Sequence, residues 1–139
     1  MLRKIFLVFI IGYAGLVLYL MFFGFGRVPY PQPIARLAPL VSTFRFVMHS
    51  IRWSSVFINI VGNLVLFVPF GFLGVVFPQY QKLQPLVFDM MSAIIILEAV
   101  QYFSRLGIFD VDDILLNSMG VVLGYWIYHD LRPFFNYRF

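Results

Sequence analysis

From Ile5 to Phe23 the chain runs 19 residues without a charged side chain, and from Val56 to Phe77 it runs 22 more. At about 1.5 Å per helical residue, either stretch can cross a hydrocarbon core of about 30 Å. Nothing else in the sequence restricts the fold as much, because backbone in hydrocarbon must satisfy its own hydrogen bonds, as a helix or a closed barrel. Leu86 to Phe103 reads as a third span with Glu98 and Gln101 near its end, and Ile114 to Tyr128 as a shorter fourth with Asn117 near its start. The expectation is an all-α membrane protein, a four-transmembrane-helix bundle in a single domain over residues 1–139.

Composition agrees with the spans. The chain is 12% charged and 62% hydrophobic, where a soluble domain carries about 25% charged residues. With no cysteine it has no disulfide, thiolate metal site or cysteine nucleophile. A formal net charge of +4 suits a lipid bilayer with anionic headgroups, and no nucleic-acid partner is expected. The first span is longer than a signal-peptide core of about 7–15 residues and is followed by FFGFGR rather than small residues, so it reads as a retained helix.

The one long connection, residues 24–55, has two parts. Pro29, Pro31 and Pro33 in PYPQP keep the first part extended. Beyond Leu40, one helical face carries Phe44, Val47, Met48 and Ile51, and another Ser42, Arg45, His49 and Arg52. That pattern fits an interfacial amphipathic helix between spans one and two, and equally a helix packed over the mouth of the bundle. In span two, Pro69 and Gly71 should introduce a kink.

Lys and Arg counts do not choose an orientation: Arg3, Lys4, Lys82, Arg132 and Arg138 fall on one side, Arg27, Arg36, Arg45, Arg52 and Arg105 on the other. Arg3 and Lys4 abut the first span, which favours cytoplasmic termini. Either way, Asn59, Asn63, Glu98, Gln101, Arg105, Asp110, Asp112, Asp113 and Asn117 share one side of the membrane. Glu98, Gln101 and Arg105 form one stripe at i, i+3, i+7, Asn59 and Asn63 another at i, i+4, and Asn117 lies on one face with Gly120 and Gly124. Facing one another, these stripes would enclose a polar pocket.

An ionised carboxylate in mid-membrane costs at least about 2.5–3.5 kcal/mol, so Glu98 should face inward, with Arg105 as its natural partner. The asparagines could simply join helices, at about 0.6–2 kcal/mol per hydrogen bond. In DVDD, Asp112 or Asp113 should cap span four, leaving the remaining acids and Arg105 as pocket residues. Two uses of such a pocket follow. It could bind a lipid headgroup or cell-envelope precursor. Alternatively, it could catalyse, with Glu98 as acid or base, Arg105 on a phosphate, and Asp110, Asp112 and Asp113 holding a divalent cation such as Mg²⁺ or Ca²⁺.

The order N-x-x-x-N-x-x-x-F-x-P-F-G at Asn59–Gly71, E-x-x-Q-x-x-x-R at Glu98–Arg105 and D-x-D-D-x-x-x-N-x-x-G at Asp110–Gly120 resembles the VanZ-like family of bacterial membrane proteins. The resemblance covers about residues 40–128. It implies the bacterial cell membrane as location, an association with teicoplanin resistance, and a signature at Asn59, Asn63, Phe67, Pro69, Gly71, Glu98, Gln101, Arg105, Asp110, Asp112, Asp113, Asn117 and Gly120.

Overall fold

The computed structural model describes residues 2–40, 48 and 53–135. Four helices carry most of them: α1 (Leu2–Phe22), α2 (Trp53–Phe67), α3 (Leu83–Ser104) and α4 (Val111–Leu131). The amphipathic segment expected after Leu40 lies outside the described residues. Arg3–Phe22 and Leu83–Ser104 are long and apolar enough to cross a membrane. The other two expected spans do not meet that standard. Ile60–Val75 is shorter, and the fourth holds Asn117, Gly120, Gly124, Tyr125, Tyr128 and His129, which lower its hydropathy.

Span two is no kinked α-helix. Pro69 lacks an N–H to donate, and from Val68 to Val75 the chain tightens into eight residues of 3₁₀-helix. This turn lets Gly71 meet the backbone of Gly124 and Tyr125. A β-carbon at Gly71 would collide with that backbone, and one at Gly120 or Gly124 with the carbonyl oxygens of Leu64 or Val68. The spacing Gly120-x-x-x-Gly124 therefore does what small residues do in helix contacts, letting backbones approach. Packed beside this seam, Phe67, Phe70, Leu73, Leu86, Ile94, Ile114, Val121 and Tyr125 form the core. Helix α1 buries Ile10 and Val17 against it, and the Tyr13 hydroxyl donates to the Leu66 carbonyl at 2.9 Å.

The structure adds two short strands to the expected all-α architecture. β1 (Ile34–Arg36) and β2 (Ile108–Asp110) pair in parallel, with Ile34 opposite Ile108 and Arg36 opposite Asp110. The stretch after PYPQP is extended, and its strand fixes the first connection to the loop before α4.

Candidate functional site

The helix ends and this sheet enclose a cavity of about 290 Å³. Helix α2 contributes Asn63, α3 contributes Glu98 and Gln101, and α4 contributes Asp112, Asp113 and Asn117, with Asp110 from β2. These expected residues do come together. Asn63 donates its amide to Asp113 Oδ1 at 2.8 Å, joining α2 to α4. Gln101 reaches the Met21 carbonyl at 2.8 Å and ties α3 to the end of α1.

Asp110 caps α4, rather than Asp112 or Asp113. Its extended backbone (φ −123°, ψ 118°) places it just before the helix, where its carboxylate accepts the Asp112 N–H at 2.9 Å. Asp112 and Asp113 already lie in the first turn, so their side chains are directed elsewhere, and Asp112 accepts the Leu40 N–H. The other Asp110 oxygen lies 3.5 Å from the Arg36 guanidinium.

Arg105 is not part of the cavity wall. Helix α3 ends at Ser104, and Arg105 turns left-handed (φ 60°), which carries its side chain off the Glu98–Gln101 stripe. It is exposed and donates to the Pro31 carbonyl at 3.4 Å, while its own carbonyl accepts the Tyr30 N–H at 2.8 Å. The expected Glu98–Arg105 pairing is not formed, and the arginines that line the cavity are Arg27 and Arg36, together with Tyr30. These three lie in the first connection, outside the helical spacing that marks the other wall residues. One signal was available: Ile34-Ala35-Arg36 and Ile108-Phe109-Asp110 share an apolar-apolar-charge pattern with opposite charges. The backbone of Asn59 lies in α2, and its side chain is outside the described set.

Glu98 is 3% exposed and Asn117 is 3% exposed. The Asp110 N–H donates to the Glu98 carboxyl, yet Glu98 Oε2 and Asn117 Oδ1 have no hydrogen-bond partner. A buried polar atom left unpaired costs about 1–3 kcal/mol, and more when charged. Such atoms on a cavity wall are the ones a bound group would satisfy. Among the described residues, no three acids or histidines form a metal-ligating group.

The family model VanZ/LLP1 matches residues 6–135, a longer stretch than the motif resemblance covers. No curated protein and no solved structure matches the chain.

Proposed function

The chain belongs to the VanZ/LLP1 family, and from that membership and the cavity we propose a four-span protein of the bacterial cell membrane that binds a polar envelope headgroup. The observation that carries this reading is the pair of buried, unpartnered acceptors, Glu98 Oε2 and Asn117 Oδ1, on a polar cavity wall. A volume of about 290 Å³ is at the small end of ligand pockets, which run from about 300 to 1,000 Å³. That size suits a headgroup better than a whole lipid-linked precursor.

Four spans are supported by the outward faces of the helices. Val8, Phe9 and Ile11 on α1, Phe88, Ile96 and Phe103 on α3, and Met119, Leu123 and Trp126 on α4 are all exposed. In water these would be a large apolar surface, whereas lipid accommodates them. Arg3 and Lys4 beside the first span favour cytoplasmic termini, which opens the cavity to the extracytoplasmic side.

Capture of an envelope headgroup there lowers susceptibility to teicoplanin-type lipoglycopeptides without chemical turnover. Expression in a sensitive strain should raise the teicoplanin minimum inhibitory concentration, and Glu98→Gln should remove the rise at equal protein level. An unchanged concentration in the wild type, or full protection by Glu98→Gln, contradicts the reading.

A further inference from the structure

The cavity is unevenly charged. Glu98, Asp110, Asp112 and Asp113 line it against Arg27 and Arg36. The acids are the buried side of it: Glu98, Asp110 and Asp112 are at most 6% exposed, with Asp110 reaching Arg36 at 3.5 Å. The cations are at the mouth, with the Arg36 side chain 53% exposed and the exposed Arg27 donating to the Leu106 carbonyl at 3.1 Å. Asn63 and Gln101 each direct an amide hydrogen to a protein acceptor. The unmet atoms at depth, Glu98 Oε2 and Asn117 Oδ1, are both acceptors.

A ligand that completes this wall brings N–H donors and positive charge to the floor and negative charge to the mouth. Resting on the headgroup reading above, we infer that the cavity takes a zwitterionic phospho-amine, with its primary ammonium on Glu98 and Asn117 and its phosphate toward Arg27 and Arg36. A primary ammonium offers three donors. A quaternary ammonium offers none and is recognised by cages of aromatic faces, whereas Tyr30 and Phe67 are the only aromatic residues on this wall among the described residues. A glycerol headgroup has hydroxyl donors but no cation to set against a wall on which four acids face two arginines. The site therefore selects ethanolamine-type over choline-type and glycerol-type phospholipids.

The test is native mass spectrometry of the full chain after exchange into phosphatidylethanolamine, phosphatidylcholine or phosphatidylglycerol, with free phosphoethanolamine as a fourth probe. Retention of phosphatidylethanolamine should exceed that of the other two lipids by about tenfold, and Glu98→Gln should remove the preference. Arg36→Ala, which alters the half-exposed mouth, should weaken retention severalfold and carries the test if Glu98→Gln fails to accumulate. Thermal stabilisation by free phosphoethanolamine with no lipid retained would assign the same chemistry to a soluble ligand. Equal retention of all three lipids, lost in Glu98→Gln, overturns the ammonium assignment and leaves the headgroup reading intact. With no lipid retained and no response to phosphoethanolamine, both fall.

Discussion

Arg36 and Asp110 face each other in register across the parallel strands, and their side chains approach to 3.5 Å. The same aspartate caps α4 through the Asp112 N–H. One residue thus links the first connection, the sheet and the helix that supplies half of the cavity's acids.

These roles separate by substitution. Asp110→Ala removes the cap, worth about 0.5–2 kcal/mol, and an ion pair worth about 0–1 kcal/mol because Arg36 is half exposed. Asp110→Asn keeps a good capping side chain. Thermal unfolding in detergent should show a clear loss for Asp110→Ala and a small one for Asp110→Asn. Equal losses would mean that the ion pair, not the cap, dominates.

The glycine seam gives a sharper contrast. Gly124→Ala drives a β-carbon into the Val68 carbonyl, whereas one at Gly12 meets nothing within 4 Å. Overpacking of this kind costs about 1–3 kcal/mol or more. Gly124→Ala should accumulate poorly or melt early, and Gly12→Ala should behave as wild type. Similar melting of both variants would remove the close approach of α4 to the 3₁₀ segment.

Arg105 and Arg36 exchange the importance that motif spacing assigns them. Arg105→Ala should retain teicoplanin protection, since its guanidinium reaches Pro31 outside the cavity. Arg36→Ala should lose most of it, at matched protein level. The opposite ranking would restore Arg105 to the site.

Because the chain has no cysteine, single cysteines report orientation without background. A membrane-impermeant maleimide applied to intact cells should label Ser104→Cys and not Gln79→Cys, both positions being exposed. Labelling of Gln79→Cys alone would invert the protein, and labelling of both would break the four-span arrangement.

The helices and the cavity floor were legible in the sequence for a physical reason. Apolar runs announce helices, and Asn63, Glu98, Gln101 and Asn117 stand out in such runs because burying polar groups is costly. The mouth was not legible. Arg27, Tyr30 and Arg36 are placed by a three-residue strand pairing over about seventy positions of sequence, a contact that leaves no periodicity. Arg105 falls on the Glu98–Gln101 stripe only where the helix continues, and α3 stops one residue short of it. Pro69 signalled a break, but the 3₁₀ form of the following segment depends on its seating against Gly124.

The most direct measurement is an experimental structure in a lipid nanodisc. Ligand density is expected in the cavity with a donor within about 3 Å of Glu98 Oε2 and Asn117 Oδ1, in contact with Arg36 at the mouth. A cavity empty of ligand, with Glu98 hydrogen-bonded to another side chain of the protein or turned toward lipid, would contradict it.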